Sequence, residues 1–378
     1  MTAPLALYIH WPFCVSKCPY CDFNSHVRET VDQEAWAAAL VADLSHEARA
    51  LPGRTLGSIF FGGGTPSLMP PKTVEALINA ARAHWPTAPD LEITLEANPS
   101  SVEAARFADL ASAGVNRVSL GLQALDAPAL TFLGRAHGVD EGLAALDVAM
   151  KHFDRVNFDL IYARPGQGEA AWASELRRAL VLGARHMSLY QLTIEPGTRF
   201  ETLVQKGELT PVDAETGAAL FELTQSIMNE AGRPAYEVSN HAAPGEESRH
   251  NLTYWRYGDY AGVGPGAHGR RSNLATVRHR KPENWIGAVA RNGHGLSEEA
   301  PLTPAEQARE ALVMGLRLRE GVDLGALEVR FGLTGLVNEN QCALLAHEGL
   351  ITRTGTHLTV TPRGMLLLDA ILAAVVTV

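Results

Sequence analysis

The sequence is poor in cysteine, in basic charge and in long apolar runs. Its 378 residues include four cysteines and 32 basic against 42 acidic side chains, a net charge of −10. Four cysteines do not supply the spaced pairs of a disulfide-built secreted domain, and a chain of this length folds on its own core. No stretch approaches ~18 consecutive apolar residues, which excludes a spanning helix. The nearest, LLLDAILAAVVTV, is shorter, carries Asp369 and reads as a buried helix end. The amino-terminal MTAPLALYIHWPFC has no basic flank, long apolar run or small-residue cleavage site, so a cytoplasmic protein is expected, with peripheral membrane association left open. The acidic balance and the lack of a basic patch leave no electrostatic basis for a nucleic-acid partner. At 46% hydrophobic and 20% charged residues, the composition is too apolar for a disordered chain. There is no internal repeat and no low-complexity tract.

What is present is a regular alternation. At ~150 residues per domain, the length fits one large domain with a smaller one, or two comparable ones. From residue 5 to about 240, β-rich runs bounded by Gly, Pro, Asn or Asp alternate with helical patterns. Strands are expected at Leu5–His10, Ser58–Phe61, Leu91–Glu96, Arg117–Leu120, Arg155–Ile161 and His186–Leu192, and helices at Gln33–Ala50, Pro71–His84, Val102–Ala113, Asp140–His152 and Ala170–Leu182. Such an order implies an α/β fold with a parallel sheet, open or curled into a barrel, whose ligands sit at the carboxyl ends of the strands. Residues 241–300, rich in Gly, Arg, His and aromatics, read as a loop-rich segment, loops and short strands packed on that core. Helical patterns return at Thr303–Glu320, Leu324–Arg330 and Leu336–Glu348, followed by a hairpin turning at Thr354-Gly355 and a last helix from Pro362. This is the order of a winged-helix-like unit, over 301–378. Its eight acidic and six basic residues favour a protein-docking or lid role over DNA binding. The apolar last helix is compatible with a homodimer.

Three of the four cysteines, Cys14, Cys18 and Cys21, fall within eight residues, directly after the first strand. Three thiolates in one loop can hold three irons of a [4Fe–4S] cluster and leave the fourth open to a ligand. The competing reading is a zinc knuckle, for which His10 and His26 are the nearby fourth ligands. Cys342, inside a helical pattern, reads as a buried thiol. Gly62-Gly63-Gly64-Thr65-Pro66 follows the second strand, where glycines let a backbone and its carbonyls approach a ligand closely. No Gly-Lys-Ser/Thr follows, which goes against a phosphate loop. Glu96, Gln123 and Asp159 lie at or near strand ends and read either as ligand contacts or as satisfied caps. His250, in His250-Asn251-Leu252-Thr253-Tyr254-Trp255, reads either as a haem ligand flanked by stacking aromatics or as a hydrogen-bonded structural residue. His268 shares that pair of readings.

The spacing Cys14-x3-Cys18-x2-Cys21, with Tyr20 before the last cysteine, resembles the radical S-adenosylmethionine (SAM) superfamily. The phrase Tyr8-x-His10-x-Pro12-Phe13-Cys14 narrows the resemblance to the oxygen-independent coproporphyrinogen III oxidase-like group. Within it the chain looks most like the HemW-type haem chaperone branch, over essentially its whole length. The resemblance implies a radical SAM partial (β/α)6 barrel over 1–240 and a C-terminal helical, winged-helix-like domain over 301–378, with the HNxxYW motif in the segment 241–300 between them. It implies a [4Fe–4S] cluster on Cys14, Cys18 and Cys21 with SAM on the open iron. Matching SAM-contact positions are Tyr8, Tyr20, Gly63, Gly64, Thr65, Glu96, Gln123, Arg135 and Asp159. Two departures stand out. Oxidases of the group carry a further cysteine where this chain has Phe23. Ahead of Pro165, where the family usually has Gly-Leu, stand Ala163-Arg164, which would add a charge near the cofactor rim. The expected function is a haem chaperone that holds haem near His250 and passes it to an acceptor, such as a membrane-bound respiratory protein, with a reductant protein serving the cluster. The alternative is an oxygen-independent coproporphyrinogen III oxidase.

Overall fold

The computed structural model describes residues 3–378. The chain opens with β1 (Leu5–Trp11), a clip made of β2 (Phe13–Cys14) and β3 (His26–Val27), and helix α1 (Gln33–Ala50). Then come β4 (Leu56–Gly63), α2 (Pro71–His84), β5 (Thr87–Ala97), α3 (Ser101–Ala104) and α4 (Phe107–Ser112). They are followed by β6 (Arg117–Gln123), α5 (Ala127–Phe132), α6 (Val139–His152), β7 (Arg155–Tyr162), α7 (Glu169–Val181) and β8 (His186–Gln191). All six expected strands form, parallel and adjacent in sequence order. Their two faces differ in chemistry. Ile59, Phe61, Ile93, Leu95, Val118, Leu120, Phe158 and Leu160 are 0% exposed in the main core with the helices, whereas the alternate residues on the other face are largely polar. Asp32 caps α1 by accepting the Ala35 N–H at 3.1 Å, and Pro71 opens α2. The single helix expected over Val102–Ala113 is instead two short ones. Between them Arg106 donates to the carbonyls of Ser67 and Met69, at 3.0 and 2.5 Å.

After β8 come α8 (Arg199–Gln205), α9 (Ala214–Glu230) and β9 (Asn240–Ala242), the last antiparallel to β8. Helix α10 (Arg249–Trp255) packs on β1 and β4. The short strands expected in this stretch form, with an eleven-residue helix among them. Strand β10 (Tyr260–Val263) pairs parallel with β1, and β11 (His268–Arg271), β12 (Leu274–Arg278) and β13 (Leu296–Pro301) extend the sheet antiparallel, with α11 (Pro282–Asn292) between the last two. One eleven-stranded sheet results, ending at β13 and β9, so the barrel is open. Glycine hides the bounds of these strands in the sequence. A Cβ on Gly269 would stand 3.0 Å from the Gly262 nitrogen, so close backbone packing demands a residue that strands usually avoid.

A buried ionic knot ties this extension to α1. Arg278, 0% exposed, donates to Asp43 and Glu47, both at 2.7 Å, and Asp43 also accepts the Gly264 and Gly295 N–H groups at 3.0 Å. Arg278→Met leaves buried Asp43 without its counter-charge and Glu47 with Arg271 alone, at 3.6 Å, so the unfolding free energy is expected to fall by ~3–5 kcal/mol in urea denaturation.

The carboxyl-terminal unit has its own core, including Leu312, Leu336, Cys342, Leu358 and Leu372. Helix α12 (Pro304–Gly315) starts at a Thr303–Glu306 capping box. It is followed by β14 (Val322–Asp323), α13 (Leu324–Phe331), α14 (Glu339–His347), β15 (Ile351–Thr354), β16 (His357–Val360), α15 (Pro362–Met365) and α16 (Leu368–Val375). Three helices and a three-stranded wing, with the turn at Gly355, make the winged-helix-like arrangement. Arg330 donates to the Tyr257 carbonyl at 2.9 Å and Tyr257 to Glu310 at 2.8 Å, joining the unit to the barrel. Among the described residues, no helix is long and apolar enough to cross a membrane.

Candidate functional site

The inward face of the barrel lines a cavity of about 810 Å³. Tyr8, Gly63, Glu96, Asp159 and His250 all lie in its wall, and Met314 of α12 and Arg317 just beyond that helix close part of it. At the carboxyl ends of β1 and β4 sits the cysteine loop. The β2–β3 pairing closes it, and the Gly64 and Thr65 N–H groups donate to Trp11 and Phe13 carbonyls at 2.7 and 2.9 Å. The glycines have a sharper reason than ligand approach. A Cβ on Gly63 would stand 2.6 Å from the His10 ring, and one on Gly64 2.7 Å from the Phe13 carbonyl oxygen. They let the two loops interlock.

The three thiols are free and half-buried. A chain of donors runs between two of them. Thr65 Oγ1 donates to Cys14 Sγ at 3.4 Å and accepts from Asn98 Nδ2 at 3.3 Å, and Asn98 Oδ1 accepts from Arg135 at 2.6 Å. Arg135 also donates to Cys18 Sγ at 3.4 Å and to the Gly121 carbonyl at 3.0 Å. Burial, and then the neighbouring thiols, push the Cys14 thiol up, with the Thr65 hydroxyl working against them. Among the described residues, no three His, Cys, Asp or Glu side chains converge on one ion position. The donor set fits a thiolate-held cluster: three thiols share one loop, each has a side-chain partner at sulfur (Ser25 at 4.0 Å for Cys21), and Gln123 Oε1 and Arg135 Nε lack partners. Gln123 holds a left-handed backbone, φ 67°, where β6 ends.

Glu96 accepts the Gly63 N–H at 3.2 Å. Burial, then the nearby Asp159 charge, raise its pKa to about 8, and burial raises that of Asp159 to about 6. Tyr8 bonds His10 Nδ1 at 3.0 Å, and His10 Nε2 bonds the Asn24 carbonyl at 2.9 Å. Tyr20, within the cysteine loop, packs near Phe200, outside the cavity wall. Phe23 is 59% exposed at the cavity, and His268 is exposed there as well.

His250 is buried on α10. Its Nδ1 lies 3.2 Å from Ser58 Oγ and its ring stacks on Phe60 at 4.8 Å. Glu92 orients that helix by accepting the Arg249 and His250 N–H groups, both at 3.2 Å, and an Arg155 guanidinium N–H at 2.6 Å. Arg164 corrects an expectation. It lies away from the cavity, buried, pairing with Glu175 at 2.5 Å and donating to the Ile161 carbonyl at 3.0 Å, so it pins the loop after β7 to α7. Asn98 and Arg117 belong to the site and escaped sequence reading, which had no signal for either. His10, read as a zinc-ligand candidate and as part of the Tyr8–Cys14 phrase, bridges Tyr8 and the Asn24 carbonyl.

The Radical SAM superfamily description matches residues 8–179, and the HemN C-terminal domain description residues 302–367. The protein titled Heme chaperone HemW from Escherichia coli (strain K12) is 37% identical over 381 residues, 98% of this chain and 97% of that protein. Heme chaperone HemW from Mycobacterium tuberculosis (strain ATCC 25618 / H37Rv) is 35% identical over 372 residues, 97% of this chain and 94% of its own. Radical S-adenosyl methionine domain-containing protein 1, mitochondrial, from Bos taurus is 42% identical over 328 residues, 84% of this chain and 74% of its own. Among solved structures, coproporphyrinogen III oxidase (HemN) from Escherichia coli matches with a TM-score of 0.82 at 22% identity, over 98% of this chain and 90% of that one, a likeness of fold. With the cysteine loop, the open barrel and the winged unit in place, these relatives set the assignment: the chain belongs to the radical SAM superfamily, in its HemW-type branch.

Proposed function

We propose that the chain is a haem chaperone: it binds haem in the barrel cavity and passes it to a haem-requiring acceptor protein. The reading includes a [4Fe–4S] cluster on Cys14, Cys18 and Cys21, reduced by a partner protein, and an exchangeable SAM near Tyr8, Gly63, Thr65, Glu96, Gln123, Arg135 and Asp159. When bound, the cluster and SAM supply one-electron reductive chemistry. Arg135 and Thr65 hold the cluster loop through its sulfurs, while Glu96 and Asp159 offer carboxylates to a cationic ligand.

The observation that carries the reading is the setting of His250. Burial lowers its pKa to about 4, so the ring is neutral near pH 7. Ser58 engages Nδ1, and among the described residues nothing bonds Nε2, which suits metal ligation. The relatives titled Heme chaperone HemW span nearly the whole chain, and Phe23 stands where the oxidases have a cysteine. Anaerobic reconstitution followed by haem titration, read by absorbance, tests it. One haem per chain is expected, with His250→Ala weakening binding at least ~10-fold, and no product from coproporphyrinogen III with SAM and reductant. SAM-dependent formation of protoporphyrinogen would make the protein an oxidase and overturn the reading.

A further inference from the structure

The inner end of the cavity holds more hydrogen-bond donors than the protein itself uses. Arg117, at the start of β6, is 2% exposed and lies in the cavity wall. Its guanidinium donates to Thr94 Oγ1 at 3.2 Å and, among the described residues, forms no ion pair. Glu92 is already engaged by Arg155 and the first turn of α10. Glu92, Glu96 and Asp159 feel its charge but none closes an ion pair with it, so its planar fork stays open to a carboxylate.

A second donor stands nearby, on β8. His186, 3% exposed, also lies in the cavity wall, and its Nε2 is 3.0 Å from the Tyr236 hydroxyl. That hydroxyl accepts from Asn251 Nδ2 at 3.3 Å, so its own proton is free to go to His186 Nε2. Burial, then the Arg117 and Arg155 charges, hold the imidazole well below its ordinary pKa and therefore neutral. The ring proton is then on Nδ1, which has no partner. Unused N–H groups on two buried side chains, one of them cationic, call for an anion.

We propose that Arg117 and His186 form a carboxylate subsite that holds a propionate of the tetrapyrrole bound in this cavity. The proposal rests on the haem-chaperone reading above. The methionine carboxylate of SAM carries the same chemistry, so the experiment separates the two sources. Haem and haem dimethyl ester are titrated into the reconstituted parent protein, Arg117→Gln and His250→Ala, with SAM binding measured in parallel.

The ester is expected to bind the parent roughly 30-fold more weakly than haem, and Arg117→Gln to bind haem more weakly by the same factor. The ester should lose nothing further in Arg117→Gln, because the interaction is already gone. Equal affinity of haem and ester for the parent, a measurement that needs no variant, overturns the subsite. So does an Arg117→Gln loss shared by haem and ester, or a loss confined to SAM. If haem fails to bind, or binds His250→Ala as tightly as the parent, the chaperone reading in this cavity fails and the subsite with it.

Discussion

Cys18→Ala is expected to leave the anaerobically reconstituted protein without stoichiometric iron or sulfide, against ~4 of each per chain in the parent, while the barrel stays folded. The loop from Cys14 to Ser25 lies outside the main core, whose nearest members are Trp11 and Phe13. Cys18 is half-buried, and its sulfur is engaged by one donor, Arg135, which keeps its bonds to Asn98 and Gly121 when the thiol is gone. The change therefore removes a ligand without opening a cavity. Iron and sulfide analysis with the charge-transfer absorbance gives the result, and circular dichroism confirms folding. Cys342→Ala, inside the carboxyl-terminal core, should keep the full iron content. A full cluster in Cys18→Ala would mean that the three-cysteine ligand set is wrong.

The parts of this molecule legible in the sequence are those with short-range causes. Helices α1 and α2 are visible to the residue because Asp32 and Pro71 mark their starts and Gly53 and Pro86 lie just beyond their ends. The six parallel strands are visible because their core-facing residues are β-branched or large, as at Ile59 and Phe61. The cysteine loop is legible because its ligands are neighbours in the chain.

Other features depend on residues far apart. The bounds and pairing of strands β10 to β13 are not legible because Gly262 and Gly269 are required by strand-on-strand contact, a cause invisible from either glycine alone. Asn98 looks like a turn residue before Pro99; only the fold sets it between Thr65 and Arg135. Arg164 and Arg117 are both arginines at barrel strands, yet Glu175 neutralises the first and no carboxylate pairs with the second. Charge alone could not tell the structural arginine from the one facing the cavity.

The second large effect concerns Glu96. Its carboxyl is buried, accepts the Gly63 N–H and faces the Asp159 charge, and its pKa rises from an ordinary 4.5 to about 8. Below pH 4.5 the group is protonated whether the chain is folded or not, and it adds nothing unfavourable. As pH climbs from there through 8, the unfolded chain releases a proton that the folded chain retains and then loses at a cost, so stability falls across that window. Glu96→Gln removes the titration. With SAM absent, the variant should match the parent near pH 5 and exceed it by ~3–5 kcal/mol at pH 8.5 in urea denaturation; Asp159 still titrates near pH 6 in both. SAM binding should move the other way. A cationic ligand favours the ionised carboxylate, so SAM affinity in the parent is expected to rise with pH up to about 8, whereas that of Glu96→Gln stays flat and lies at least ~30-fold lower at pH 8.5. A variant with parent-like stability at pH 8.5 would show that Glu96 is not strained by burial. A variant with parent-like SAM affinity would remove it from the binding site. A gain in stability joined to a loss of affinity is what a carboxylate held for a ligand at the expense of the empty fold must produce.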